Sequence, residues 1–219
     1  QLNYAAFLGY VVVNLNYPLS GTSSARGTVR FREMYDAILC SIDWMRISAQ
    51  VLRLDPNRIG AVGYSAGGHL VSRLATETDP RIRIQVGVIW AGVSDLVDFY
   101  QTQPVTRYLV ESLIGGRADD SNFSDEYWDA SPIEHVNSQM APTLWIHGKA
   151  DVVAFPKQAT TWAKKALANC PASIAPDKFS RLLLLAEGDH GFSHYLPVVN
   201  LNTFSFLNLW LSPNLVPGQ

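Results

Sequence analysis

Residues 58–70, RIGAVGYSAGGHL, place one serine between glycines directly after a short apolar run. The run Gly63-Tyr64-Ser65-Ala66-Gly67 fits the pattern G-x-S-x-G, in which a serine stands on a sharp turn between a buried strand and a helix. A turn this tight leaves little room for side chains, which explains the flanking glycines. A capping serine at a glycine-rich helix start would give the same letters. The strand-like and helix-like flanks favour an exposed nucleophile at Ser65 over that alternative.

Strand and helix patterns alternate on both sides of this stretch. Continuous apolar runs predict strands at residues 9–17, 58–65, 83–92, 142–148 and 181–188. Apolar positions that recur every three or four residues predict helices at residues 31–54, 66–77, 156–168 and 196–210. Buried strands of this kind form a mostly parallel sheet with helices on both faces, which is a three-layer α/β sandwich. The length of 219 residues fits a single domain, 1–219, with the polar segment 93–141 as a cap-like insert over the site.

The composition argues against several classes of partner. Lys and Arg number 17 against 19 Asp and Glu, for a net charge of −2, so the sequence gives no case for nucleic acid. The longest apolar stretches are too short to cross a bilayer, and nothing resembles a secretory signal peptide. We therefore expect a soluble protein, cytoplasmic or secreted, with no membrane partner. Cys40 and Cys170 are predicted to be free, which leaves no disulfide framework or metal cluster.

A serine nucleophile needs a base, and His190 is the best-placed histidine. Chemistry in parallel sheets collects beyond the carboxyl ends of the strands, and His190 directly follows the strand at 181–188. His194 is its competitor. The acid that orients the imidazole is assigned to Asp151, which follows the strand at 142–148. Asp189 is less suitable, because neighbouring side chains on an extended loop usually diverge. The order Ser65, Asp151, His190 is the one expected for this architecture.

Several stretches resemble a known family, in the family's order. They are GYVVVNLNYPLS (9–20), DPNRIGAVGYSAGGHL (55–70), LIGG (113–116), ASPIEHV (130–136), APTLWIHGKAD (141–151) and EGDHGF (187–192). The chain resembles an α/β-hydrolase, and within that fold the acetyl esterase, feruloyl esterase and formamidase group. The resemblance implies that Ser65 is the nucleophile, Asp151 the acid and His190 the base.

The resemblance also implies an H-G-G-type loop upstream of the strand at 9–17, which donates backbone N–H groups to an oxyanion. No such motif precedes Tyr10, so Ala66 supplies the one oxyanion N–H that is predicted. The family's N-terminal strands are expected to be absent, including one between the strands at 9–17 and 58–65. Three arrangements avoid an unpaired internal edge. The chain is part of a longer protein, which we favour, or the strand at 9–17 pairs directly with the strand at 58–65, or a second chain fills the gap.

These residues predict a serine carboxylesterase that hydrolyses short-chain acyl esters, acetyl to butyryl, with no metal or organic cofactor. The resemblance adds carbohydrate acetyl and feruloyl esters as natural targets. Tyr64, next to Ser65, and Phe192, two residues after His190, are the predicted substrate contacts. The aromatic residues of segment 93–141 would line an acyl pocket or anchor the insert to the core.

Three alternatives and one assembly question stay open. The alternatives are an amidase or formamidase, a peptidase of the prolyl-oligopeptidase type, and a non-catalytic module that keeps the hydrolase fold to bind a ligand. The expected partner in the esterase hypothesis is a small-molecule ester. The apolar closing helix at 196–210 would suit a homodimer face or burial against the core equally well.

Overall fold

Four parallel strands form the central sheet of the computed structural model, which describes residues 2–24 and 27–212. In chain order the strands are β1 (Ser23–Ser24), β2 (Gly27–Thr28), β3 (Gly60–Tyr64), β4 (Val86–Trp90), β5 (Thr143–Gly148) and β6 (Ser180–Leu185). The α-helices are α1 (Leu2–Phe7), α2 (Phe31–Ile47), α3 (Ala49–Leu52), α4 (Ala66–Ala75), α5 (Leu96–Thr102), α6 (Arg107–Ile114), α7 (Ser124–Ala130), α8 (Lys157–Ala168), α9 (Pro176–Phe179) and α10 (Leu196–Leu211). Short 3-10 helices cover Pro104–Thr106, Ser121–Phe123 and Pro132–His135.

The sheet has the order β3-β4-β5-β6, and every neighbouring pair is parallel. The short strands β1 and β2 form a separate antiparallel pair. All residues of β4 and β5 are buried, as expected of strands covered on both faces. Because the four strands run in one direction, the loops that follow β3, β5 and β6 lie at the same edge of the sheet.

Helices cover both faces of the sheet. On one face, Val88 of β4 and Ile146 of β5 belong to the same buried cluster as Phe206 of α10. On the other face, Ile89 and Trp145 pack in a cluster with side chains of α4 and α8. The alternating side chains of each strand therefore enter two different cores. The prediction of a three-layer α/β sandwich is confirmed.

The predicted helix at 31–54 is two helices, because the chain leaves the helical path at Ser48, between α2 and α3. The buried side of α2 carries the predicted apolar positions, namely Phe31, Met34, Ile38, Ile42 and Met45. These side chains share a cluster with Leu70 and Leu74 of α4. Ala49 and Leu52, which lie within the same predicted helix, are half-buried on α3.

The prediction of a strand at residues 9–17 is wrong. Residues 10–19 form no strand, and β3 pairs with β4 alone among the described residues. The segment still has the two-residue alternation of an extended chain, because Val13, Leu15 and Tyr17 pack against the core while Asn14 and Asn16 are exposed. A strand requires a neighbouring backbone to complete its hydrogen bonds, and apolar composition does not supply one. The arrangement in which this segment pairs directly with the strand at 58–65 is therefore also wrong.

The segment 93–141 contains α5, α6, α7 and the three 3-10 helices. Phe99, Tyr100 and Tyr127 are buried in the cluster that contains α2, which fits the role of anchors to the core. Tyr108 and Trp128 are exposed. Whether this segment acts as a cap over the site stays a prediction.

The closing helix α10 buries Val199, Thr203, Phe206 and Leu207, while Leu201 is exposed. Burial against the sheet thus accounts for part of its apolar character, and a homodimer stays a prediction. No helix within residues 2–24 and 27–212 combines the length and hydropathy required to span a bilayer.

Candidate active site

Ser65 occupies the turn between β3 and α4 with a strained backbone. Its φ is 53° and its ψ −116°, a region that a residue with a side chain rarely adopts. Its N–H donates to the carbonyl of Trp90 at the end of β4, over 2.8 Å, and its carbonyl accepts the N–H of His69, over 3.0 Å. These two bonds hold the turn between the sheet and the new helix. The serine side chain is thereby fixed at the carboxyl edge of the sheet.

The two glycines of the G-x-S-x-G pattern have different reasons to be glycine. A Cβ atom on Gly63 would lie 2.1 Å from the carbonyl oxygen of Gly67, which is backbone and has little freedom to move. A Cβ atom on Gly67 would meet nothing within 4 Å. The close approach of β3 to the first turn of α4 therefore excludes a side chain at Gly63. The sequence-based expectation that both glycines are needed for space holds for Gly63 alone.

The structure brings together the three residues that the sequence assigned to the site. His190 Nε2 lies 2.9 Å from Ser65 Oγ, and His190 Nδ1 lies 2.7 Å from Asp151 Oδ2. The His190 side chain is 18% exposed, whereas the Asp151 side chain is fully buried. The arrangement can pass a proton from the hydroxyl to the imidazole while the carboxylate stays out of water.

Backbone hydrogen bonds join the start of the loop after β5 to the end of β6 and the loop that follows it, which brings Asp151 and His190 together. The N–H of Lys149 donates to the carbonyl of Leu185, over 2.8 Å, and the N–H of Ala150 donates to the carbonyl of Gly188, over 2.9 Å. These bonds continue the β5–β6 pairing beyond the ends of the strands. The residues that follow each strand are thus held side by side.

The Asp151 carboxylate accepts three hydrogen bonds and makes one further close contact with a histidine. Oδ1 accepts from the backbone N–H groups of Val153 and Ala154, both over 2.9 Å. Oδ2 faces His190 and, at 3.2 Å, His147 Nε2. Burial alone would raise the pKa of the Asp151 carboxyl, but the hydrogen bonds from both histidines and the Ala154 amide outweigh it. The net result holds the pKa of Asp151 well below its usual value, so the group is anionic at neutral pH.

The His147 contact is a feature of this site that was not predicted from the sequence. His147 and Trp145 are fully buried on β5, and Trp145 Nε1 donates to His147 Nδ1 over 3.1 Å. His147 Nε2 also lies 2.7 Å from the carbonyl oxygen of Ala154. The sequence signal was the spacing His147-Gly148-x-x-Asp151, in which a strand-end histidine precedes the acid by four residues.

The other histidines and the other aspartate considered for the base and the acid make different contacts. The Asp189 carboxylate accepts the N–H of Ser193 over 3.0 Å and its hydroxyl over 2.6 Å, so it closes its own loop. His194 is exposed. His69 Nε2 lies 2.7 Å from the Ala130 carbonyl, and burial lowers the pKa of this ring to about 4. His69 is therefore held by the Ala130 carbonyl and is no competitor for the role of base.

The other predicted site residues occupy two different environments. Tyr64 is 45% exposed and its ring centroid lies 5.3 Å from that of His190, so it borders the open side of the site. Phe192 is only 1% exposed and packs edge-on against Tyr64 and Trp90. Ala66 is the first residue of α4, where the N–H has no partner within the helix. Tyr64 is thus the exposed member of the predicted pair, and Phe192 the buried one.

A parallel sheet between helices, with a strained serine at a strand–helix turn and a histidine after the last strand, defines an α/β-hydrolase. The family model BD-FAE matches residues 2–166. This match covers well over half of the chain, and the protein belongs to the BD-FAE family.

Similar proteins include both esterases and peptidases. The probable carboxylic ester hydrolase LipM of Mycobacterium tuberculosis is 28% identical over 169 residues, which cover 72% of this chain and 38% of that protein. The uncharacterized peptidase YtmA of Bacillus subtilis is 31% identical over 106 residues, covering 48% of this chain and 40% of that protein. The chain spans about two fifths of the length of these curated relatives. The solved acetyl ester-xyloside bifunctional hydrolase from Caldicellulosiruptor lactoaceticus superposes with a TM-score of 0.67 at 22% identity, over 94% of this chain and 72% of that one, which shows a shared fold.

Proposed function

We propose that the chain carries the catalytic site of a serine carboxylesterase, in which Ser65 is the nucleophile, His190 the general base and Asp151 the acid. The observation that carries this proposal is the hydrogen-bonded path from Ser65 Oγ through His190 to Asp151, with contacts of 2.9 and 2.7 Å. Both distances lie within the range over which a positioned base takes a proton. The strained serine turn supports the same role, because strain of this kind concentrates at functional sites.

The reaction follows from the geometry in two balanced halves. Ser65 Oγ bonds to the acyl carbon as its proton passes to His190 Nε2, and the carbonyl oxygen becomes an oxyanion. The oxyanion re-forms the carbonyl, the ester C–O bond breaks, and the alcohol leaves with the proton from His190. Water then attacks the acyl-enzyme, giving a proton to His190 and releasing the acid as Ser65 recovers its hydrogen. Asp151 keeps the His190 proton on Nδ1 and balances the imidazolium that forms twice in each cycle.

The oxyanion is placed beside the first turn of α4. The N–H of Ala66 opens that helix, and the helix N-terminus carries a partial positive charge. One such donor is worth a factor of about 10² to 10³ in kcat in serine hydrolases. Ala66 is therefore the donor that we assign within the described residues.

Short acyl esters are the substrates we favour, with Tyr64 contacting the substrate at the open side of the site. LipM, named as an ester hydrolase, supports ester chemistry. The structural likeness to an acetyl ester-xyloside hydrolase makes acetylated sugars a natural class to include. Phe192 would support Tyr64 from behind, because its ring is buried against it.

Amide cleavage is the second candidate, and the similarity to YtmA, named as a peptidase, is the observation that favours it. Both reactions pass through the same acyl-enzyme. They differ in the leaving group, because an amine must be protonated before it departs whereas an alkoxide leaves more easily. A non-catalytic binding module would keep the fold and lack turnover altogether.

One assay separates these three functions. Purified protein is given p-nitrophenyl acetate, p-nitrophenyl butyrate, an acetylated xyloside and an aminoacyl p-nitroanilide, and kcat/KM is measured for each. We expect turnover of the esters to exceed that of the anilide, and Ser65→Ala to abolish it. Ser124→Ala serves as the matched control, because this exposed serine bonds only to its own turn within the described structure. Faster anilide cleavage would assign a peptidase, and no Ser65-dependent turnover of any substrate would refute the catalytic proposal.

A further inference from the structure

We propose that His147 is a positioning residue of this site: its Nε2–H group orients the Asp151 carboxylate toward His190. The inference rests on the proposed function, because it concerns the efficiency of the Ser65–His190–Asp151 path. His147 touches neither the serine nor the open side of the site, so it would act only through Asp151.

The protonation state of His147 follows from its partners. Trp145 Nε1 is a donor only, and it points at His147 Nδ1 from 3.1 Å, so Nδ1 must accept and carries no hydrogen. The ring proton of neutral His147 therefore resides on Nε2. That atom faces two acceptors, the Ala154 carbonyl oxygen at 2.7 Å and Asp151 Oδ2 at 3.2 Å. The Nε2–H group therefore bonds the Ala154 carbonyl, and Asp151 Oδ2 lies beside it as a second, longer polar contact of a neutral ring.

The position of this proton adds one contact to those that restrict the rotation of the Asp151 carboxylate. Oδ1 is held by the N–H groups of Val153 and Ala154, and Oδ2 by the two histidines. Donors on both oxygens restrict rotation about the Cβ–Cγ bond, so the lone pair of Oδ2 stays aimed at His190 Nδ1. His147 acts on the same oxygen that His190 uses. Its influence therefore reaches the imidazole through a single atom.

Burial increases the effect of the His147 contact on Asp151. The side chains of His147 and Asp151 are both fully inaccessible, so water cannot replace a donor that is lost. A buried carboxylate that loses a donor is destabilised in its charged form, and the pairing with the imidazolium weakens with it. Trp145 contributes indirectly to this positioning, because its indole N–H excludes the tautomer of His147 that would carry the proton on Nδ1.

Three substitutions at His147 test the inference. His147→Leu removes both ring nitrogens, His147→Gln can place an amide N–H near the position of Nε2, and His147→Asn is too short to reach Asp151. The number of active sites in each preparation is counted with a fluorophosphonate that labels Ser65, so that kcat refers to folded, competent molecules. The assay uses the better p-nitrophenyl ester over a pH range from 5 to 9.

The expected result is a loss of kcat per titrated site by about 10- to 100-fold in the leucine variant, the range for losing one hydrogen bond to a buried charge. KM should change little, because His147 does not face the substrate. The glutamine variant should recover most of the lost rate and the asparagine variant should not. In proton NMR, the far-downfield signal of His190 Nδ1–H should move in the leucine and asparagine variants and keep its position with glutamine.

Unchanged kcat per titrated site in the leucine variant, with melting temperature alone reduced, would overturn the inference. If the leucine variant does not fold, equal rates and equal NMR signals for the glutamine and asparagine variants would overturn it instead. Either outcome leaves the proposed function intact as long as wild-type protein turns over ester. Absence of wild-type turnover and of Ser65 labelling would instead refute the proposed function itself.

Discussion

Gly148 and Gly188 approach so closely that a Cβ atom on Gly148 would lie 2.1 Å from the carbonyl oxygen of Gly188. Gly148 is the last residue of β5, three residues before Asp151, and Gly188 lies in the loop after β6, two residues before His190. The same Gly188 carbonyl accepts the N–H of Ala150, over 2.9 Å. The distance between Asp151 and His190 therefore depends on the absence of a side chain at Gly148.

Gly148→Ala is expected to separate the two loops. The overlap is with backbone, which cannot rotate away as a side chain can, so we expect a loss of about 1–3 kcal/mol in the free energy of unfolding. We also expect a lower kcat per titrated site, because Asp151 and His190 move apart. Urea denaturation and active-site titration measure the two effects. Gly87→Ala is the control, since its Cβ would make ordinary contact at 3.4 Å with the Ala75 methyl group. Equal behaviour of the two variants would contradict the role assigned to this contact.

Gly63→Ala and Gly67→Ala should differ although both glycines belong to one short pattern. The first places a methyl group 2.1 Å from backbone and should reduce both the melting temperature and the labelling of Ser65. The second places its methyl group in open space within the first turn of α4, where alanine is favoured over glycine by up to about 1 kcal/mol. Its melting temperature should be unchanged or higher. A comparable loss of stability in both variants would disprove the distinction.

Asp151→Asn should preserve the fold better than it preserves turnover. An asparagine amide can direct its N–H₂ toward His190 Nδ1, which forces the imidazole into the wrong tautomer for accepting the Ser65 proton. If Asp151 has the proposed role, we expect kcat to fall by about 10⁴-fold, the effect of this change in a well-studied Ser-His-Asp enzyme, and KM to change much less. Steady-state kinetics on the better p-nitrophenyl ester measure both constants. A fall of less than tenfold would show that Asp151 does not orient His190.

His69 should make the protein less stable in mild acid. Burial lowers the pKa of His69 to about 4 in the folded protein, against about 6.5 when unfolded. Between these values the unfolded state binds more protons, so the free energy of unfolding rises with pH and is lost as pH falls from 6.5 to 4. The loss from this one group amounts to about 3 kcal/mol at most.

Urea denaturation at pH 7 and pH 5 tests this effect in wild type and His69→Gln. The glutamine side chain does not titrate and can still donate to the Ala130 carbonyl, so the variant should show a smaller difference between the two pH values. Identical pH dependence in the two proteins would show that His69 is not the group responsible.

Much of the fold could be predicted because its elements have local signatures. The strands β3, β4, β5 and β6 are continuous apolar runs, and α2 repeats its buried positions at helical spacing. The segment at 9–17 has the same apolar character as those strands. The prediction of a strand there was wrong for a non-local reason. Whether an extended chain becomes a strand depends on a partner backbone at its side, which composition does not reveal.

The sequence by itself determined the parallel sheet between helices and the serine turn after β3, because turn geometry and apolar periodicity are set by residues adjacent in the chain. It also indicated which loops carry Asp151 and His190, since all strands of a parallel sheet end at one edge. Only the tertiary structure decided that Gly67 has room for a side chain, that Phe192 is buried behind Tyr64, and that His147 reaches Asp151. Each of these depends on which atoms of distant segments share one small volume, and such proximity is fixed only when the core packs.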